Sequence, residues 1–392
     1  MSTARVLVIV ILSALLLQAC SSATVRNPLP AENSGQATIP GIPSARFWGD
    51  ESPLNHEAWL ARSDRELEEE YPALIGVEHN YLALSGGGAK GAFGAGVLAG
   101  WTDAGTRPDF EIVTGVSTGA LIAPMAFLGS DYDELMEKMY TGIKSEDIII
   151  KVRGISALWN ESVGSSAPLQ SLLENIVDDA MIKAIAAEHR RGRRLFITTT
   201  NLDAARAVLW SVSAIAASGD PKAGKLIRDI MLASASIPGV FPPVFFEVEA
   251  GGLVYDEMHM DGGMSTQVMF YPVGMNWRAL EKRLRTVGAP NVYVIRNAFL
   301  SPKYRQVEPR SLAIVNRSID TLIRTQGLGD IYRIYLQSQK DGLDYHLAYI
   351  PQEFDMKSNE AFDPVFMTQL FQLGRQMGRD GSAWSETPPG FE

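Results

Sequence analysis

The sequence contains very little cysteine and histidine. Cys20 is the only cysteine among 392 residues, which excludes an intramolecular disulfide and a zinc site built from thiolates. The five histidines are scattered without the His-x-x-x-His spacing of a helical metal site, so we expect no metal and no cofactor. A net charge of −10 argues against nucleic acid as a partner and against a surface that binds anionic lipid electrostatically.

A hydrophobic run long enough to span a bilayer comfortably is also missing from the N-terminus. The run Val6–Leu17 follows Arg5 and has the length of a signal-peptide core. Leu17-Gln18-Ala19-Cys20 resembles the lipobox of bacterial lipoproteins, and this resemblance implies cleavage before Cys20 and attachment of lipid to it. With Ser21 as the next residue, the expected location is the outer membrane of a bacterial cell envelope. An ordinary secretory signal and an uncleaved anchor remain alternatives.

The rest of the chain has the composition of a folded protein. Its hydrophobic fraction of 46% and charged fraction of 20% allow a large buried core. We predict a signal peptide over residues 1–19 and a lipidated cysteine with a flexible tether over 20–46, because that stretch is rich in Ser, Pro, Asn and Gly. A helical lead-in (47–75), a catalytic domain (76–350) and a C-terminal helix and tail (351–392) follow.

One stretch shows the order strand, glycine turn, helix, strand and serine. The apolar run Tyr81–Leu84 passes into the glycine-rich Ser85–Gly91, and a helical pattern covers about 92–104. A second apolar run, Phe110–Val116, leads into the sequence Gly-Val-Ser-Thr-Gly at residues 115–119. This order predicts an α/β fold with a parallel sheet, and both glycine clusters fall at strand carboxyl ends, where such sheets bind ligands.

The two glycine clusters suit nucleophilic catalysis by serine. Gly115 and Gly119 flank Ser117 as in Gly-x-Ser-x-Gly, which presents the hydroxyl on a strained turn without neighbouring side chains. Attack on an ester carbonyl creates an oxyanion, which needs preorganised N–H donors. Three consecutive glycines before a helix can supply such donors, and they are Gly86, Gly87 and Gly88.

Two nucleotide-binding motifs compete for the same glycines. Gly86–Gly91 also fits G-x-G-x-x-G, but a dinucleotide site needs an acidic residue at the end of the second strand, where Ser117 stands. A P-loop is excluded because Gly91 follows Lys90 where Ser or Thr is required. We expect the side chain of Lys90 to be solvated.

The serine needs a base, for which Asp261 is the preferred candidate. It ends an apolar run and precedes Gly262-Gly263, whose small size lets the carboxylate approach another turn. In the order Ser, Asp, His only His346 could complete a triad, and it lies in a β-patterned run without flanking glycines.

These three segments together resemble the signature of patatin-like phospholipases. The resemblance spans roughly residues 81–263. Within this range it includes Ala233–Pro243, a serine- and proline-rich segment between the two candidate residues. It implies a three-layer α/β sandwich in which helices cover both faces of a mostly parallel central sheet. It also implies a dyad of Ser117 and Asp261 without histidine and an oxyanion hole at the triple glycine. The motif glycines are Gly91, Gly115, Gly119, Gly262 and Gly263.

The activity that this resemblance implies is hydrolysis of lipid acyl esters, with a lipid as substrate. The lipobox resemblance adds a membrane, reached through Cys20, as a partner. An esterase or lipase for neutral esters, an acyltransferase and a non-catalytic lipid-binding lipoprotein remain alternatives. Head group, acyl position, chain length and oligomeric state stay open at this point.

Overall fold

The computed structural model describes residues 26–53, 55–151 and 164–391. The predicted signal peptide over 1–19 and the predicted lipidation site Cys20 lie outside these residues. Within them, eleven strands are present, nine of which form one sheet. The strands are β1 Arg46–Trp48, β2 Asn80–Leu84, β3 Ile112–Val116, β4 Ile150–Lys151, β5 Gly164–Ser165, β6 Arg194–Asn201, β7 Arg206–Ser211, β8 Val244–Ala250, β9 Leu253–Asp261, β10 Asn291–Arg296 and β11 Asp344–Tyr349.

The centre of the sheet is parallel, which confirms the predicted fold class. Five strands run in the same direction in the order β6-β3-β2-β10-β11. Beyond β6 the pairing becomes antiparallel: β7 and then β1 extend the edge, while the β8–β9 hairpin joins the carboxyl end of β6. The carboxyl ends of β2, β3 and β10 therefore meet on one side of the sheet, where β9 also ends.

Helices cover both faces of the sheet, as the three-layer prediction requires. In β2, Leu82 and Leu84 pack into one core, whereas Tyr81 and Ala83 pack into the core on the opposite face. The described helices are α1 His56–Leu60, α2 Asp64–Glu70, α3 Gly91–Asp103, α4 Thr118–Leu128, α5 Asp133–Gly142, α6 Ser145–Ile148, α7 Ala167–Ile176, α8 Asp179–Arg190, α9 Val212–Ala217, α10 Ala223–Ser234, α11 Trp277–Leu284, α12 Ser311–Asp341 and α13 Pro364–Asp380. Core residues of α3, α4 and α13 lie on the first face, and those of α11 and α12 on the second.

The predicted flexible tether does not hold for the part of 20–46 that the structure describes. Pro28 and Thr38 form β-bridges with the β8–β9 hairpin, and Ile39 and Ile42 are buried. Arg26 also pairs with Asp256 on β9. The prediction was wrong because a segment that packs through isolated bridges shows neither helical nor strand periodicity.

The C-terminal helix α13 is part of the main core and not an appendage. Phe366, Leu370 and Phe371 are buried in the same cluster as residues of α3 and α4. Strand β8 carries no prediction from the sequence, and it matters for the site because it pairs with β9 from Leu253 to His259. No helix in the described part of the chain combines the length and the apolarity needed to cross a membrane.

Candidate active site

Ser117 lies on a tight turn between β3 and α4. Its φ of 55° is in the left-handed region, which non-glycine residues seldom adopt. The turn requires glycine on both sides: a Cβ on Gly115 would lie 2.5 Å from the carbonyl oxygen of Gly119, and one on Gly119 would collide with the carbonyl oxygen of Leu84. This explains the Gly-x-Ser-x-Gly pattern by close backbone contacts, and it places the serine at the carboxyl end of β3.

The structure brings Ser117 and Asp261 together. The Oγ of Ser117 donates a hydrogen bond to Oδ2 of Asp261 at 2.7 Å. The other carboxylate oxygen, Oδ1, accepts the backbone N–H of Gly263 at 2.7 Å. Ser117 is 7% exposed and Asp261 is 6% exposed. Asp261 ends β9, and a Cβ on the following Gly262 would collide with the carbonyl oxygen of Thr198 on β6.

The carboxyl group of Asp261 is a stronger base than an ordinary aspartate. Burial raises the pKa of Asp261 from 3.8 to about 6, although the hydrogen bonds from Ser117 and Gly263 oppose this rise by favouring the charged form. A carboxylate with a pKa near 6 is ionised at neutral pH and still accepts a proton more readily than a solvated one.

The glycine loop between β2 and α3 lies directly beside Ser117, and a Cβ on Gly86 would be 3.2 Å from Cβ of Ser117. The predicted oxyanion hole over Gly86–Gly88 has one donor fewer than expected, because the N–H of Gly86 already donates to the carbonyl oxygen of Gln267. Within the described part of the chain, the N–H groups of Gly87 and Gly88 donate no hydrogen bond. These two groups are the available donors of the loop.

Two residues at the end of β10 hold the loop in place, and neither was singled out from the sequence. Nη1 of Arg296 donates to the carbonyl oxygen of Gly86 at 3.1 Å, and Oγ of Ser85 donates to the same oxygen at 2.8 Å. The side chain of Asn297 donates to the carbonyl oxygen of Ser85 and accepts from the N–H of Gly94 in α3. Because C=O and the following N–H point in opposite directions across a trans peptide, these bonds fix the direction of the Gly87 N–H.

Lys90 is half-buried, which corrects the expectation that it is solvated. It forms no hydrogen bond and no ion pair within the described residues. Burial lowers the pKa of Lys90 and the neighbouring charge of Arg296 lowers it further, whereas Asp320 acts in the opposite direction. The following Gly91 begins α3, and a Cβ there would collide with the side chain of Thr118 at the start of α4. The two motifs are therefore in direct contact.

A second serine supports the turn. The N–H of Ser117 donates to Oγ of Ser234 at 3.0 Å, and that hydroxyl donates to the carbonyl oxygen of Thr198 at 2.7 Å. Ser234 ends α10 and lies in the serine- and proline-rich segment noted in the sequence. Two residues later, the carbonyl oxygen of Ser236 accepts the N–H of Asp261. That segment thus connects both members of the pair.

None of the five histidines, all of which the structure describes, contacts the pair. Nε2 of His346 lies 3.0 Å from Oδ1 of Asn291, and its ring stacks on Tyr293. Asn291 begins β10, whereas Arg296 ends it beside the glycine loop, so five residues or roughly 16 Å of strand lie between them. Across the described residues, no group of three or more His, Cys, Asp or Glu side chains is placed to hold a metal ion.

Comparison with known proteins shows a family match over part of the chain. The family model described as patatin-like phospholipase matches residues 82–273. An uncharacterized protein of Acanthamoeba polyphaga mimivirus, R571, is 28% identical over 207 residues, which are 52% of this chain and 63% of that protein. The crystal structure of VipD from Legionella pneumophila aligns with 79% of this chain and 67% of its own, at 12% identity and a TM-score of 0.36. Residues 82–273 of this chain therefore match the family model of the patatin-like phospholipases.

Proposed function

We propose that this chain is a serine hydrolase that cleaves acyl ester bonds of phospholipids. At the general level, the match of residues 82–273 to the patatin-like phospholipase model supports hydrolysis of lipid esters. The observation that carries the more specific proposal is the buried 2.7 Å hydrogen bond from Oγ of Ser117 to Asp261. A hydroxyl aimed at a basic carboxylate beside unpaired N–H donors is the arrangement that acyl transfer through a serine requires.

In the first step, Oγ of Ser117 attacks the carbonyl carbon of the ester, and Asp261 takes the hydroxyl proton. The electron pair of the C=O bond moves to oxygen, and the N–H groups of Gly87 and Gly88 stabilise the resulting oxyanion. Loss of one such donor costs roughly 3 kcal/mol of transition-state stabilisation in serine hydrolases. Collapse of the intermediate breaks the ester bond, and the alcohol leaves with the proton that Asp261 held.

In the second step, Asp261 accepts a proton from water, and the hydroxide equivalent attacks the acyl carbon on Ser117. The second tetrahedral intermediate uses the same N–H donors. Its collapse releases the fatty acid, and the proton returns to Oγ of Ser117. One carboxylate thus serves as base and acid in both halves, so no histidine is needed.

The test is hydrolysis and covalent labelling by a fluorophosphonate probe. Wild-type protein should release fatty acid from mixed phospholipids and bind the probe, whereas Ser117→Ala should do neither while remaining folded. Ser171→Ala, which removes an exposed hydroxyl on α7, is the matched control and should behave as wild type. A folded Ser117→Ala variant that still hydrolyses lipid would refute the assignment.

Mass spectrometry of the products separates the remaining alternatives. Turnover of neutral esters without phospholipid cleavage would indicate an esterase or lipase, and transfer of the acyl group to an added alcohol at the expense of fatty acid would indicate an acyltransferase. Absence of both labelling and turnover would leave a lipid-binding role.

We further propose that the chain is anchored through lipid on Cys20 in a bacterial envelope, in the outer membrane. The support is the sequence Leu17-Gln18-Ala19-Cys20 after an apolar run. A diacylglyceryl cysteine carries two chains, enough for stable attachment. Cys20→Ser should abolish metabolic labelling with palmitate, and equal labelling of both proteins would overturn the proposal.

A further inference from the structure

Helix α12 carries large apolar side chains that no described residue covers. The helix has 31 residues and is about 46 Å long. Its C-terminal half is anchored in the fold, since Ile331 and Ile334 are buried. Five apolar side chains in its N-terminal half are between 40% and 68% exposed. These residues, which we name the docking face, are Ile314, Val315, Ile319, Leu322 and Ile323.

The docking face continues directly into the active-site region. Just beyond it along α12, Oε1 of Gln326 lies 3.4 Å from Nε2 of Gln267, the residue whose carbonyl oxygen accepts the N–H of Gly86. At the next position, a Cβ on Gly327 would lie 2.5 Å from Nη2 of Arg296. The helix is therefore in contact with the groups that hold the glycine loop, and its exposed half extends outward from there.

Two more exposed apolar residues lie next to the pair of Ser117 and Asp261. Ile237 follows Ser236, whose carbonyl oxygen accepts the N–H of Asp261, and Met264 follows Gly263, whose N–H donates to the Asp261 carboxylate. Exposed apolar groups thus come from three separate segments around one site. Scattered single residues on a surface need no explanation, but exposed apolar residues that several segments bring towards one site are typical of an interaction surface.

The segment that carries the docking face has a charge opposite in sign to that of the whole protein, although Lys303 in this segment pairs with Asp355 outside it. Residues 301–326 contain five basic and two acidic side chains, in a chain of net charge −10. Arg317 donates to the carbonyl oxygen of Lys303, and Arg305 lies 3.5 Å from Asp320, so the loop before α12 is held against the helix. Amphipathic helices with apolar residues on one face and Arg or Lys on the other bind in the interface of anionic bilayers.

We propose that the docking face binds the surface of a bilayer that contains anionic lipid and so seats the active site on its substrate. The inference rests on the proposed lipid hydrolysis. It is independent of the lipid on Cys20, because the docking face lies on the catalytic domain itself and acts at the site.

The experiment compares two double variants of the full chain. Ile319→Ser with Leu322→Ser removes apolar groups from the docking face, and Leu253→Ser with Val254→Ser removes two equally exposed ones from the tip of the β8–β9 hairpin. Each protein is assayed on p-nitrophenyl butyrate in solution and on vesicles of phosphatidylcholine and phosphatidylglycerol at 4:1. Near-UV circular dichroism verifies the fold.

We expect the docking-face variant to lose about tenfold in rate on the mixed vesicles and less than twofold on the soluble ester. The hairpin variant should match wild type on both substrates. Wild type should also be slower on vesicles of phosphatidylcholine alone, since these lack anionic lipid. Full activity of the docking-face variant on mixed vesicles, or an equal loss on both substrates, would overturn the proposal.

Vesicle flotation of the same variants, each combined with Ser117→Ala, measures binding to the vesicles in the absence of catalysis. If wild type hydrolyses neither the soluble ester nor the vesicles, the proposed function fails, and flotation still decides the docking proposal through the difference between the two double variants. Light scattering tests whether a second copy of the chain covers the docking face instead. If wild type is a dimer and the Ile319→Ser, Leu322→Ser variant is a monomer, membrane docking is overturned.

Discussion

Replacing Asp261 by Asn should make the protein more stable at alkaline pH while abolishing hydrolysis. The pKa of Asp261 is raised to about 6 in the folded protein, against an ordinary value of 3.8, and the dominant cause is burial. Between these two pH values the unfolded chain releases the proton before the folded chain does. The folded state therefore loses stability as pH rises from about 3.8 to about 6, and the loss is complete above that window.

The size of this loss follows from the two pKa values. Their difference corresponds to about 3 kcal/mol at pH 8, since each pKa unit is worth about 1.4 kcal/mol. Asn carries no charge that burial could penalise. Its Oδ1 can accept the N–H of Gly263, and its Nδ2 can donate to Oγ of Ser117, so both hydrogen-bonding contacts of the carboxylate can be kept. We expect Asp261→Asn to be up to about 3 kcal/mol more stable at pH 8 and equal to wild type at pH 4.

The assay is urea unfolding of both proteins at a series of pH values from 4 to 8. Ser117→Ala serves as a control with the opposite expected effect. It removes a hydrogen bond that favours the charged carboxylate, so the loss of stability between pH 4 and pH 8 should be larger in this variant than in wild type. A variant Asp261→Asn that is less stable than wild type at pH 8, or that differs from it by the same amount at pH 4, would refute the account of a desolvated base.

The remaining predictions concern rate and packing. On a soluble ester, kcat/KM should fall about tenfold per pH unit below about pH 6, as Asp261 becomes protonated. Arg296→Gln should lower kcat by at least about tenfold with little effect on KM, and Arg296→Lys should restore part of it, if the guanidinium orients the Gly87 N–H. Arg46→Ala removes the guanidinium that pairs with the buried Glu257, which then keeps only its contact with His259, and should cost about 3 kcal/mol in urea unfolding. Arg65→Ala, which breaks an exposed pair, should cost under about 1 kcal/mol. His346→Ala should retain most activity.

The sequence was most informative where the backbone itself excludes a side chain. At Gly115, Gly119 and Gly262 a Cβ would collide with a carbonyl oxygen or a neighbouring backbone atom, so these positions must be glycine if the turns are to form. Such constraints appear in the sequence as fixed local spacings around Ser117 and Asp261. The apolar runs of the central strands are equally local. Both signals could therefore be read without any knowledge of how distant segments meet.

The residues that hold the site in place depend on sheet order, which the sequence does not state. Arg296 and Asn297 lie about 200 residues beyond the glycine loop and reach it only because β10 pairs with β2. One signal could have found them: they follow the β-patterned run Asn291–Ile295, and polar residues at the carboxyl ends of parallel strands line the site. The lowered pKa of Lys90 depends in part on the same pairing, since the charge of Arg296 acts on it from β10.

Net charge misleads for a similar reason, because it sums contributions that a local surface does not experience. At physiological ionic strength electrostatic interactions decay over about 8 Å, so a membrane in contact with α12 interacts mainly with the charges near that helix. Residues 301–326 carry an excess of basic side chains, while acidic runs such as Glu68–Glu70 are located on α2. A total of −10 is therefore compatible with attraction to anionic lipid at one end of the site. The average surface of the protein repels anionic lipid, whereas the docking face lies among basic side chains that attract it.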